Sequence, residues 1–499
     1  MLITIIKLSS LLTSWSSIEV ITLYVYMVTV SGELPLRSSR TRPRFYRKLV
    51  ENIRDALARS GIQVLNVEIE NAKIVLSTDK NALDTLARVF GVHRAGRVLS
   101  YEFRDLVDLA HWIAENARDM VAGRKFAVRV KRSGVHSFTS VDVAREAGSL
   151  LKPYSAGVDL ENPDVVVEVE VRGSRAYLYM ESTRGPRGLP TGVQGSALVL
   201  FSGGFDSPVA AWLTAKRGVY VDFLHFIMGS TQSSYYAYLV ARELSWRWLH
   251  GYRPLFILVD FRDVVSEVVK KVDRTYRQVV LRALMYTAGL KIAENRGYSA
   301  LVTGESIGQA SSQTLVNIAS IEAVVEPSKP ILRPLLGYDK EEIVEFSRRI
   351  GLYDFSSKVA EMCAVAPTRA TTRASPEEIS EQLSRVDSSL IDRAVSSMRV
   401  VDVLSTSPED AVLGDELEVD FIPENALVVD ARSSRKESEK PIPGSILLSE
   451  LDYSKLPRDR VIVLVCETGS ISLLLARELR EKGFKAYSLR GGIRGCKML

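Results

Sequence analysis

The sequence predicts a multidomain α/β protein built around a doubly wound parallel sheet, and three observations carry that expectation. The chain has 499 residues, more than one hydrophobic core usually serves, which points to roughly three or four domains. Four apolar runs (197–202, 219–226, 255–260 and 299–303) alternate with helical patterns near 208–217, 235–248 and 273–295, as expected of βαβ units with strands covered on both faces. A cluster of turn formers, Gly185, Pro186, Gly188, Pro190 and Gly192, sets this block apart from what precedes it.

Ahead of that linker the chain reads as two small units. Residues 27–90 offer a strand, a basic helix over 44–60, a strand pair in VLNVEIENAKIVLS and a short helix, an α+β arrangement. Residues 91–184 add a helix over 105–120, the strand KFAVRVKR, the helix SVDVAREAGSLL and the alternating strands of DVVVEVEVRGSRAYLYME, an α/β sandwich. Residues 1–26 are apolar, yet serine-rich breaks and Glu19 interrupt them and no small-residue cleavage site follows. They read as a loose extension or the product of an upstream start codon, so the ordered chain is expected to begin near Met27, with no membrane anchor.

The net charge of +5 is unevenly spread. The basic surplus lies within residues 27–190, in RSSRTRPRFYRK (Arg37, Arg40, Arg42, Arg44, Arg47, Lys48) and in GRKFAVRVKRSGVH (Arg124, Lys125, Arg129, Lys131, Arg132). Such clusters are the electrostatic footprint of a protein that binds a phosphate backbone. The three cysteines, Cys363, Cys466 and Cys496, argue against a disulfide framework or a cysteine-rich zinc site and suit a reducing compartment, the cytoplasm, where thiols do chemistry.

The stretch LVLFSGGFDSPVAAW, residues 198–212, is the most specific in the chain. A buried strand ends at Phe201, a helix with proline in its first turn follows, and Ser202, Gly203, Gly204, Phe205, Asp206 and Ser207 form the turn between them. Glycines there let the backbone close around a ligand, and the helix start offers unpaired N–H groups to an anion. No lysine follows as a Walker loop requires, and the spacing is not that of a dinucleotide fingerprint. Ser202 to Ser207 instead resembles the SGGxDS pyrophosphate loop of ATP-dependent adenylating enzymes. A second polar loop, TGESIGQASSQT, ends the fourth strand on the same rim of the expected sheet.

Residues 366–412, rich in Thr, Arg, Ser and Glu around one helix, read as a tether. The final block carries the strands ALVVDAR and VIVLVCETGS, the helix SLLLARELREKGF and the turn YSLRGGI. This pattern puts Cys466 near a helix N-terminus, where the dipole favours thiolate and Glu467 opposes it. A phosphatase loop needs arginine six positions after the cysteine; that position is Ser472. Asp430, Arg432, PIPGSI, the Cys466 loop and the Gly491-Gly492 pair together resemble a rhodanese domain, a carrier of persulfide sulfur. The unit containing FGVHRAG resembles a THUMP RNA-binding domain preceded by a ferredoxin-like domain.

With Cys363 in AEMCAVAP, this order of parts resembles the tRNA 4-thiouridine synthetase family. The resemblance implies a ferredoxin-like domain at 27–90, THUMP at 91–184, an ATP-binding adenylation domain at 193–365, a linker at 366–415 and a rhodanese-like domain at 416–499. It further implies ATP-dependent thiolation of a tRNA uridine, typically at position 8: adenylation of the C4 oxygen releases pyrophosphate, and persulfide sulfur displaces AMP. ATP and Mg²⁺ are the implied cofactors. Ser202, Gly203, Gly204, Asp206 and Ser207 are expected at the phosphates with Asp206 near the metal, and Leu200 and Phe201 at the adenine. Gly304, Glu305, Ser306, Gln309 and Gln313 are expected on the nucleotide's opposite side, and Arg282 and Lys340 at phosphate. Cys466 is expected to carry the persulfide and Cys363 to act as the second thiol. The implied partners are tRNA, a cysteine desulfurase or other persulfide donor, and a second copy in a homodimer. A 2-thiouridylase would share the ATP site without the THUMP and rhodanese pairing, and a tRNA-binding sulfur-relay protein would lack adenylation.

Overall fold

The structure, a computed structural model, describes residues 23–70, 72–359, 370–412, 416–432, 444–451 and 456–495. The chain forms two compact units that divide after Pro190.

The first unit runs β1 (Tyr24–Val30), α1 (Arg42–Arg59), β2 (Val64–Glu70), β3 (Lys73–Thr78), α2 (Leu83–Leu86), β4 (Val92–Glu102), α3 (Leu106–Val121), β5 (Lys125–Ser133), α4 (Ser140–Leu151), β6 (Gly157–Val158), β7 (Val165–Arg172) and β8 (Arg175–Arg184). All eight strands join one sheet, in the order β2-β3-β1-β4-β8-β7-β5-β6. Sequence reasoning treated this stretch as two separate units. The long β4 joins the two into one continuous sheet, because its two edges pair antiparallel with β1 and with β8. The sheet also starts earlier than Met27, since Tyr24 already pairs with Thr78. Helices α3 and α4 close one core over Ile113, Phe126, Val143 and Val169. Arg40, Arg42, Arg44 and Arg47, and the basic residues of the 124–132 cluster, are exposed.

The second unit runs β9 (Ser196–Leu200), α5 (Asp206–Lys216), β10 (Tyr220–Ile227), α6 (Thr231–Trp248), β11 (Leu255–Asp260), α7 (Arg262–Lys271), α8 (Arg277–Asn295), β12 (Ala300–Val302), α9 (Leu315–Val325), β13 (Ile331–Leu332), α10 (Lys340–Arg349), α11 (Tyr353–Ser356), α12 (Pro376–Ser384), α13 (Ser389–Ser396), β14 (Arg399–Asp402) and α14 (Pro408–Ala411). Its sheet has the order β13-β12-β9-β10-β11-β14, parallel throughout except for β14. The chain leaves β9 toward β10 on one side and returns to β12 on the other, so β9 marks a topological switch point, where open α/β sheets bind ligands. The helix expected over 273–295 is α8 alone, preceded by a separate α7.

The expected tether is folded over residues 370–412. Ser375 caps α12 in a capping box with Glu378, a motif worth about 1 kcal/mol. Ala374, Ile379, Ile391 and Val395 are buried in the same core as α7 and α8, and β14 completes the sheet on β11. Composition misled because the polar residues here coat a thin apolar stripe.

The last block contains β15 (Glu418–Val419), β16 (Leu427–Asp430), β17 (Ser445–Leu447), β18 (Ile462–Val465), α15 (Ser470–Glu481), β19 (Ala486–Leu489) and α16 (Gly492–Gly495). Its parallel sheet has the order β15-β19-β18-β16-β17. No helix among the described residues is long and apolar enough to cross a membrane.

Candidate active site

The loop after β9 is shaped by its own side chains. Ser207 Oγ accepts from the amides of Ser202 (3.1 Å) and Gly203 (3.2 Å), closing the turn into α5. Gly203 has φ 83° and backs onto α6, where a Cβ would lie 2.5 Å from the Ala237 Cα. Its role is therefore to let the loop pass α6. Gly304 is needed for a second close approach, because a Cβ there would come within 2.9 Å of the backbone of Asp206 and Ser207. The two polar loops thus meet at one rim.

They enclose a cavity of about 1150 Å³, above the 300–1,000 Å³ or so usual for one small ligand. Leu200, Phe201, Ser202, Gly204, Asp206, Ser207, Arg282, Gly304, Glu305, Ser306, Gln309, Gln313 and Lys340 all line it. Gly203 does not. Asp206 receives Lys340 Nζ at 3.0 Å and Gln309 Nε2 at 3.0 Å. Lys340 reaches it because Asp339 caps α10, in a capping box with Glu342, and leaves Lys340 at the first helical position.

Glu305 is 1 % exposed and faces an ion network. It accepts from Arg282 Nη1 at 2.5 Å, Arg333 Nε at 2.6 Å, Thr303 Oγ1 at 3.0 Å and the Tyr286 hydroxyl. Burial alone would raise its pKa, but Arg282, Tyr286 and Arg333 outweigh that and hold it below the ordinary carboxylate range. Burial, then the Glu305 charge, push the Tyr286 phenol up to about 12. Glu305 is thus an anchor that aims Arg282 into the cavity.

His225, at the end of β10, is buried on the cavity wall, with Nδ1 2.8 Å from the Phe201 carbonyl and Nε2 3.0 Å from Ser234 Oγ. Loss of hydration lowers its pKa to about 4, so the ring is neutral.

Cys466 follows β18 and is buried. Its Sγ accepts from Ser472 Oγ at 3.3 Å and Ser472 N at 3.5 Å, both from the first turn of α15. Thr468, two residues on, lines the same cavity. Cys363 and Cys496 lie outside the described residues.

Comparison with known proteins completes this picture. The family model described as thiamine biosynthesis protein (ThiI) matches residues 192–387, the ThiI ferredoxin-like domain 26–95, the THUMP domain 101–181 and the rhodanese-like domain 415–498. A tRNA sulfurtransferase of Desulfurococcus amylolyticus is 57% identical over 468 residues, 94% of this chain and 97% of the relative. The chain belongs to the tRNA sulfurtransferase family. A second member, from Pyrobaculum aerophilum, is 36% identical over 92% of this chain and 95% of its own. Among solved structures, a 4-thiouridine synthetase in complex with RNA and with bound ATP superposes with a TM-score of 0.66 at 30% identity, over 76% of this chain and 99% of that one.

Within the site, sequence reasoning missed Tyr286, Arg333, Glu322 and His225. Arg333 bridges Glu305 and Glu322 from β13's end, and no local motif announces it. His225 had a signal: a polar residue near the carboxyl end of a parallel strand, where open α/β sheets bind ligands.

Proposed function

We propose that the chain is an ATP-dependent tRNA uracil 4-sulfurtransferase, acting on a uridine at position 8. The observation that carries this reading is one cavity at the β9 switch point, lined by the SGGFDS loop, the TGE loop and Thr468 of the sulfur-carrying loop. The exposed arginines of α1 support an RNA-binding role: the first turn of that helix holds no acidic residue, and its positive end and arginines together favour phosphate.

The uridine C4 oxygen attacks the α-phosphorus of ATP with loss of the N3 proton, and pyrophosphate leaves. A persulfide on Cys466, supplied by a cysteine desulfurase or another persulfide donor, then attacks C4 with its terminal sulfur and AMP departs. The Cys363 thiolate attacks the Cys466 sulfur, the 4-thiouridine thiolate leaves, and a dithiol reductant reopens the resulting disulfide. Lys340, Arg282 and the loop amides stabilise the phosphate charge that develops during adenylation. The Asp206 carboxylate and the Gln309 Oε1, buried with no hydrogen-bond partner, are adjacent hard oxygens that fit Mg²⁺ alongside phosphate oxygens. Bound there, the ion would neutralise phosphate charge.

The test is ATP- and persulfide-dependent formation of 4-thiouridine in an unmodified tRNA transcript, read by nucleoside mass spectrometry, with AMP measured in parallel. Absence of both products from the folded protein would overturn the reading; AMP without thiolation would reduce it to an adenylating enzyme. Non-reducing peptide mapping after one turnover is expected to find a Cys363 to Cys466 linkage.

A further inference from the structure

We infer that Glu418 is a latch that seats the sulfur-carrying loop on the ATP domain, positioning Cys466 for transfer without taking part in adenylation. The inference rests on the sulfurtransferase reading above. Glu418 sits on β15, the edge strand of the last sheet, and its side chain is completely shielded from solvent. Its carboxylate crosses to the start of α6 in the ATP domain, accepting from Ser230 Oγ at 2.6 Å, from the Thr231 amide at 3.3 Å and from the Thr231 hydroxyl. A carboxylate at the positive end of an 18-residue helix gains from the helix dipole and from charge-assisted hydrogen bonds at once.

The turn at 230–232 that Glu418 grips is also the surface against which the sulfur loop rests. Gly491 N donates to Ser230 Oγ at 3.4 Å, and a Cβ on Gly491 would overlap the Gln232 carboxamide. On the other side of the loop, a Cβ on Gly469 would lie 3.1 Å from the Ser230 Cβ. Both glycines flank the Cys466 loop: the amide of Ile493 donates to the Cys466 carbonyl at 2.9 Å. One buried carboxylate therefore fixes the turn, the turn fixes the loop, and the loop puts Thr468 on the cavity wall. None of Glu418, Ser230 and Thr231 lines the cavity itself. The latch thus separates two tasks in space. Adenylation needs the cavity alone, whereas sulfur delivery needs the cavity with the loop seated beside it.

The test compares two sulfur sources in the full chain. Glu418→Ala, and independently the pair Ser230→Ala with Thr231→Val on the opposite surface, are expected to leave AMP formation and persulfide loading of Cys466 at the wild-type level. Persulfide-dependent 4-thiouridine formation is expected to fall at least tenfold. Thiolation by free sulfide, which displaces AMP without Cys466, is expected to be unchanged. Glu418→Gln, which keeps an acceptor, is expected to restore part of the persulfide rate. Wild-type persulfide-dependent rates in both the Glu418→Ala and the paired variant would overturn the latch, as would equal losses with both sulfur sources. Failure of the wild-type protein to form AMP or 4-thiouridine would instead overturn the function on which it rests.

Discussion

Lys340 Nζ lies 3.0 and 3.1 Å from the two carboxylate oxygens of Asp206, across the cavity and 134 positions away in the chain. The two residues hold each other on the cavity wall, where the proposed function puts the phosphates. Asp206→Ala is expected to abolish AMP formation and leave tRNA affinity unchanged, because the exposed basic clusters lie in the other unit. Lys340→Met is expected to slow AMP formation roughly 100-fold, the scale for losing one preorganised charge-stabilising donor. Single-turnover AMP release and a filter-binding assay with tRNA check both.

The Glu305 network sets a stability prediction. Arg333→Ala removes one of two guanidinium groups from a carboxylate with a side-chain exposure of only 2 %, and breaking a buried pair of this kind costs about 3–5 kcal/mol. Urea unfolding followed by tryptophan fluorescence reads the loss. The double change Glu305→Gln with Arg333→Met is expected to cost at least as much as Arg333→Ala alone, since it also leaves Arg282 and Glu322 without their partners.

His225 predicts how stability depends on pH. Its folded pKa is depressed from 6.5 to about 4, so between those values the unfolded chain binds a proton that the folded chain refuses. The contribution is fully present above pH 6.5 and is lost as pH falls toward 4, amounting to about 2 kcal/mol between pH 7 and pH 5. His225→Asn is expected to remove that part of the pH dependence in denaturant unfolding. An unaltered pH profile in the variant would show that another group is responsible.

The basic surface of α1 makes a separate claim about tRNA. Replacing the exposed Arg42, Arg44 and Arg47 by glutamate is expected to weaken binding and to flatten the dependence of log K on log salt by roughly one unit for each phosphate no longer neutralised. Titrations at several salt concentrations measure the slope directly, and an unchanged slope would move the RNA surface away from this helix.

The parts of the site that were legible in the sequence are those written by contiguous residues. Asp206 and its flanking serines and glycines announce a strand, a turn and a helix within a few positions, and the TGE loop repeats the logic on the neighbouring strand. Arg333, Tyr286 and Glu305 were not readable as a set. They come from three elements, and only the sheet order brings them together. The capping box at Ser375 was readable and was outweighed by the polar composition around it. The continuity of the first sheet depended on β4 pairing along both edges, and strand periodicity alone does not say which edges are used. Glu418 carried no signal at all, since its meaning lies in a turn 188 residues earlier.

The antiparallel β14 on the edge of the second sheet has a consequence for how the protein is made. The ATP domain is open along β11 until residues 399–402 have left the ribosome, although its nucleotide loops were synthesised long before. Until then the apolar faces of α7 and α8 lack α13, and the growing chain carries a sticky flank that chaperones would recognise. The rhodanese-like block emerges almost at once afterwards. Synthesis therefore finishes the six-stranded sheet and presents the rhodanese-like block in quick succession.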